Sequence, residues 1–435
     1  MEGLLRRAPA VDGEAGHVER SNLRAAARMA IAMVCLLSSA YFALVIAPRG
    51  LGANAPTVQQ GLFPEWYGSR ELLFKGHDPY SPETTRHIRT AVYASASGGD
   101  AHLRNQHRFA YPVFFVFLFL PLAILPFSFA QWFALAACIA GTALSVRLWL
   151  RSGRGLSHWS WVGLIFASYP VMLGLQLRQP TLLVAALLAA VVYCARSERL
   201  GLAGVLAALS TCKPQLAIAV LLPLSIWCVA EWRVRRRFAL AAGIVLAALL
   251  LGSECISPGW FSRWIWTLKA YSHYAGTRPL LADLLGGHFV IEAAAVLVGA
   301  VAWVSYRYRD EDLLLAISFS IAVFQLLFPF QIYNQVLLLP AAVWLARNAA
   351  AIQSRGQLLT LSYSCTWIVL GAGWASALGL SLANLITPGA GLTLWQLPLL
   401  TAWLYPLPVL ATLALYAFPL RCPHLQTGRA ALQAP

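Results

Sequence analysis

Two cations stand alone at the ends of apolar runs. Lys213 opens the tripeptide Lys213-Pro214-Gln215, between the runs 200–212 and 214–230, with no other charge near it. Arg178 opens Arg178-Gln179-Pro180-Thr181 one hairpin earlier. A charge in such a place is costly unless it pairs or reaches water. Lys213 therefore reads either as a snorkelling interface residue or as an anion ligand. Together the two suit a phosphate, the Arg as a planar fork and the Lys as a point charge. Carboxylates come from the segment 63–83, FPEWYGSRELLFKGHDPYSPE, which contains Glu65 and Asp78. Loop acids of this kind mostly cap a helix or close a turn. Beside a bound hydroxyl, one of them would instead serve as a general base. Residues 260–274 interleave six aromatic residues with Arg263 and Lys269. An interfacial aromatic belt accounts for that pattern, and a wall beside a phosphate or sugar is the sharper alternative. His273, in the same stretch, offers an acid, a base or a hydrogen-bond donor. The nine histidines form no HExxH-type spacing, so no metal and no cofactor are expected.

The elements that must position these residues are membrane helices. The chain has 435 residues, of which 59% are hydrophobic and 11% charged. Its mean hydropathy is +0.65. Soluble domains carry about 25% charged residues. These values exclude a disordered chain, a disulfide-stapled secreted domain and a soluble multidomain enzyme. The apolar runs are continuous rather than alternating, which excludes a transmembrane β-barrel. The net charge of +15 is dispersed in short clusters between apolar runs, so nucleic acid is not an expected partner. Most of the eight cysteines fall inside apolar runs and none forms a CxxC pair. Residues 1–23 read as a disordered, polar cytoplasmic tail without a cleavable signal.

An all-α, polytopic integral membrane protein is expected, with about twelve transmembrane helices over residues 24–418 and a cytoplasmic tail over 419–435. Residues 48–128 form a first outer loop with interfacial helices. In it, Pro64 opens and Gly76 closes an amphipathic helix, with Glu65, Arg70, Glu71 and Lys75 on its polar side. The run 109–127 is broken by Pro112, Pro121 and Pro126 and reads as re-entrant or interfacial. With that run outside the count, 20 of the 32 Lys and Arg residues fall on the cytoplasmic side and 5 in the short outer loops. The unusual polar features then collect on the outer side, where a site is expected.

Taken in order, the motifs resemble glycosyltransferase family 87, once known as domain of unknown function 2029. The segments are SRELLFKGHDPY (69–80), YPVFFVFLFLPLAILP (111–126), RQPTLLVAALLAA (178–190), Lys213-Pro214-Gln215 and IYNQVLLLP (332–340). Members usually place an Asp just before the aromatic pair of the first loop, where Glu65 is the nearest acid here. Arg178 replaces the Gly of a Gly-Gln pair, and Tyr333 and Asn334 stand where a late His or Asp is usual.

The resemblance implies a GT-C-class fold and an inverting membrane glycosyltransferase. It would move a mannose-like hexose or pentose from a polyprenyl-phosphate donor to a glycolipid or glycan acceptor. The reaction would take place among membrane lipids, on the periplasmic or exterior side of the plasma (inner) membrane. Such chemistry needs one carboxylate to take the hydroxyl proton and positive charge for the departing phosphate. Glu65 is the expected base, with Asp78 next. Arg178 and Lys213, assisted by Arg263 or Lys269, would bind the phosphate. Gln179, Gln215, His273, Tyr333 and Asn334 would meet the sugar or acceptor. A transporter, a lipid flippase and a noncatalytic relative remain as alternatives.

Overall fold

The computed structural model describes residues 12–52, 57–93, 107–151, 158–274 and 278–418. All the regular elements among them are helices. Among the described residues α1 (Asp12–Tyr41) comes first, so residues 12–23 of the expected disordered tail are helical, and a π-helical turn at Phe42–Ile46 leads to the first loop. The loop contains α2 (Phe63–Lys75) and α3 (Pro82–Tyr93). Then follow α4 (Phe115–Ile124), α5 (Phe127–Arg151), α6 (Tyr169–Leu177), α7 (Thr181–Arg196), α8 (Leu200–Ser210), α9 (Pro214–Ala230), α10 (Trp232–Ile256) and α11 (Trp260–Tyr274). After α12 (Val290–Arg307) and α13 (Leu313–Leu327), a 3-10 helix at Ile332–Leu338 leads toward the long α14 (Gln357–Ile386).

Six helical segments are long and apolar enough to cross a membrane. A seventh results if α6 and α7, bent by 118° at their junction, count as one span. The expected count of twelve therefore does not emerge from helix length and composition. The apolar stretch 159–195 illustrates why. Prolines divide it: Pro170 sits in the first turn of the nine-residue α6, and Pro180 stands at the bend before α7. The apolar helices α8, α9 and α13 are likewise shorter than a span.

The proline-broken run contains α4, whose ten residues give a rise of about 15 Å against a hydrocarbon core of about 30 Å. Its C-terminal carbonyls lack intrahelical partners because Pro126 follows. The first loop supplies them. Arg70 donates to the Ala123 carbonyl at 2.7 Å, and Trp66 Nε1 donates to the Leu125 carbonyl at 2.9 Å. These bonds clamp α2 onto α4.

At the centre lies α13, in which every residue from Leu313 to Leu326 is buried. It packs against α9 and α12 and leads directly into the 3-10 helix. That buried column fixes the position of Asn334.

Candidate active site

Four short segments converge beside α13: the start of α2, the bend between α6 and α7, the turn between α8 and α9, and the 3-10 helix. They enclose a cavity of about 340 Å³, whose lining includes Glu65, Gln179, Lys213, Gln215, Tyr333 and Asn334. Two close approaches hold it together. A Cβ on Gly61 would overlap the Leu177 carbonyl, so a glycine is needed for the first loop to seat against the end of α6. The Gly61 carbonyl in turn accepts a 3.1 Å hydrogen bond from Gln179 Nε2.

Glu65 is the third residue of α2 and only 9% exposed. Its Oε2 is buried and has no hydrogen-bond partner. Burial pushes its pKa up to about 7, against the opposing effects of its own backbone amide and the Lys213 charge. Lys213 lies in the turn outside α8 and α9, equally buried. Burial draws its pKa down to about 8, and Glu65 opposes the shift. Its ammonium donates to Thr181 Oγ1 and sits 5.5 Å from the Tyr111 ring centroid and 5.3 Å from that of Tyr333. Thus one carboxylate and one ammonium, both desolvated, face a common space.

Two of the other first-loop acids, Glu71 and Asp78, are held by partners of their own. Glu71, expected on the polar side of its helix, is instead buried. It accepts from Lys75 Nζ at 2.6 Å and from His77 Nδ1 at 2.7 Å. Burial opposes its ionisation, but the bonds from Lys75, His77 and Tyr67 hold its carboxyl below the usual range. Asp78 accepts from the Tyr80 amide at 3.0 Å, an Asx-type turn, and pairs with Arg263 at 3.0 Å. Neither Asp78 nor Arg263 lines the cavity. Glu83 is exposed in the first turn of α3. Asp100 lies outside the described residues.

The predicted cations divide in the same way. Arg178 has a left-handed backbone, φ 52°, at the end of α6. Its guanidinium turns back onto the Gln176 carbonyl at 2.6 Å and stacks 6.0 Å from the Trp132 ring. Lys269 is exposed on α11, although its neighbours Trp264 and Leu268 line the cavity. The side chain of His273 lies outside the described ones.

Sequence reasoning overlooked three residues of the wall. Tyr111 begins one of the quoted segments but was given no role. His107 and Arg108 follow the long polar stretch and belong to no motif, so no spacing signal marks them. His107 adopts φ 48°, and burial draws its pKa down to about 4, against a hydrogen bond to the Gln60 backbone. Arg108 packs 5.1 Å from the Trp266 ring.

The sequence from Phe109 to Pro329, just over half the chain, matches the family described as Glycosyltransferase family 87. The chain belongs to glycosyltransferase family 87. It is an integral membrane protein of a glycosyltransferase family, with several membrane-length apolar helices. The matched region contains Tyr111, Gln179, Lys213 and Gln215, whereas Glu65 lies well before it and Tyr333 and Asn334 just after it. No curated protein and no solved structure matches the chain.

Proposed function

We propose that this glycosyltransferase takes a sugar from a polyprenyl-phosphate donor and transfers it to an acceptor hydroxyl at the outer face of the plasma membrane, inverting the anomeric centre. The observation that carries this proposal is the presence of Glu65 and Lys213 on the wall of one cavity, with a carboxylate oxygen left unpartnered. A sugar hydroxyl is a poor nucleophile until a base takes its proton in the transition state. Glu65 Oε2 is that base. Its elevated pKa strengthens it as a proton acceptor near neutral pH.

In a single displacement the acceptor oxygen forms its bond to the anomeric carbon as the carbon–oxygen bond to phosphate breaks. The bonding pair leaves on the phosphate oxygen, and the hydroxyl proton passes to Glu65. The departing lipid phosphate needs positive charge rather than a proton. Lys213 faces it, and Arg108 is the second cation on the cavity wall. Arg178 and Arg263 are held by other groups, so this reading does not depend on them. Gln179, Gln215 and Asn334 supply amide groups for sugar hydroxyls, and the Tyr333 ring closes one side.

Purified protein, supplied with a radiolabelled polyprenyl-phosphate sugar and membrane glycolipid, should move label to the acceptor. Donor binding without transfer across acceptors and sugars would favour a noncatalytic relative. No donor binding would remove the proposed donor class.

A further inference from the structure

We infer that Thr181 is a positioning residue for the donor phosphate, its hydroxyl anchoring the Lys213 ammonium through a neutral contact and fixing where its charge sits. This rests on the reading of Lys213 as the phosphate ligand.

Thr181 is the first residue of α7, directly after the 118° bend, and is wholly inaccessible to solvent. A hydroxyl has one donor and two acceptor sites. Thr181 Oγ1 accepts from Lys213 Nζ at 2.5 Å and donates to Asn334 Oδ1 at 3.0 Å. The Asn334 carbonyl accepts from Gln325 Nε2 at 3.0 Å. The chain of contacts therefore runs from the buried column of α13, through the 3-10 helix and the start of α7, to the ammonium.

The chemistry of the anchor matters. A carboxylate there would hold Lys213 more tightly but cancel the charge that a phosphate must meet. A hydroxyl directs the ammonium and leaves its net charge intact. An ammonium has three N–H groups, so one bond to Thr181 leaves others to reach an anion. The rings of Tyr111 and Tyr333 flank the same group and restrict its lateral movement. A β-branched residue is stiff at χ1, which suits an anchor of fixed direction.

The test uses the full chain purified in detergent, with farnesyl phosphate as the probe and binding measured by calorimetry across pH. Thr181→Val preserves shape but removes the hydroxyl, and Thr181→Ser keeps it. Thr181→Val should weaken binding about tenfold, the scale of a lost charge-assisted hydrogen bond. Its binding should also decline at a lower pH than the wild type's, because Lys213 would lose an acceptor that favours its charged form. Thr181→Ser should restore most of the affinity and the wild-type pH dependence. Asn334→Ala, which removes only the next contact, should show a smaller loss in the same direction and provides the test if the valine variant does not fold. Equal affinity and equal pH dependence in wild type and Thr181→Val would overturn the inference alone. So would a serine variant as impaired as the valine variant, since packing of the methyl group would then be the cause. Failure of the wild type to bind the probe would overturn the donor assignment itself, and this inference with it.

Discussion

Glu65 and Lys213 share one cavity without satisfying each other. Glu65 Oε2 is buried with no hydrogen-bond partner, while Lys213 Nζ bonds Thr181. A directly paired acid and ammonium would each be less available to a substrate. Kept apart, the two suit opposite ends of a displacement, one at the attacking hydroxyl and one at the departing phosphate. Each also modifies the other's proton affinity through space.

Lys213→Ala should weaken binding of a polyprenyl-phosphate donor by roughly ten- to a hundredfold, the effect of about 1.5–3 kcal/mol for a charge-assisted contact. Titration of the purified variant with the lipid phosphate measures it. Unchanged affinity would leave Lys213 as a snorkelling residue only.

The pH profile of transfer should be bell-shaped. Glu65 must be ionised to act as base, so the rate should rise as pH passes about 7. Lys213 must be protonated to meet the phosphate, so the rate should fall above about 8. Stability should follow the carboxyl separately. A folded-state pKa raised from 4.5 to about 7 favours the native state below pH 4.5, and that contribution is lost as pH rises through 7. Glu65→Gln should therefore unfold at a higher temperature than wild type at pH 8 and show no such advantage at pH 4. The gain is at most about 3 kcal/mol. Thermal scans at the two pH values measure it.

Asp78→Asn should transfer sugar at close to the wild-type rate. Its ion pair with Arg263 is about one-third exposed on both sides, and such pairs contribute about 1 kcal/mol or less. Asparagine also keeps the acceptor for the Tyr80 amide. A loss as severe as that expected for Glu65→Gln, in a folded protein, would make Asp78 the base.

Sidedness is open to chemical labelling. In a cysteine-free background, Thr90→Cys on α3 should react with an impermeant thiol reagent in intact cells. Arg236→Cys on α10 should react only after permeabilisation. Both positions are exposed. The reverse pattern would place the cavity on the cytoplasmic side.

The legibility of these features in the sequence depended on how local their causes were. Pro64 and Gly76 bounded α2 correctly because a proline in the first turn and a left-handed glycine, φ 68°, act within a single turn. The place of Lys213 on the cavity wall was legible because a lone charge at the end of an apolar run has few explanations. Glu71 was misplaced because a polar helix face was equated with a solvated one. In the fold its carboxylate is instead enclosed and bonded by Lys75 and His77. The direction of Arg178 followed from a left-handed backbone at a non-glycine position, which composition does not reveal. The span count exceeded the long helices because apolar runs were read as straight, and the α6–α7 bend is not.

Whether Glu65 takes the acceptor's proton is decided by comparing wild type with Glu65→Gln on one labelled polyprenyl-phosphate sugar. Binding and transfer are measured on the same preparations. The variant should bind the donor nearly as well as wild type but transfer no label, because the amide retains size and polarity without accepting the proton. Transfer by Glu65→Gln at the wild-type rate would mean that Glu65 is not the base.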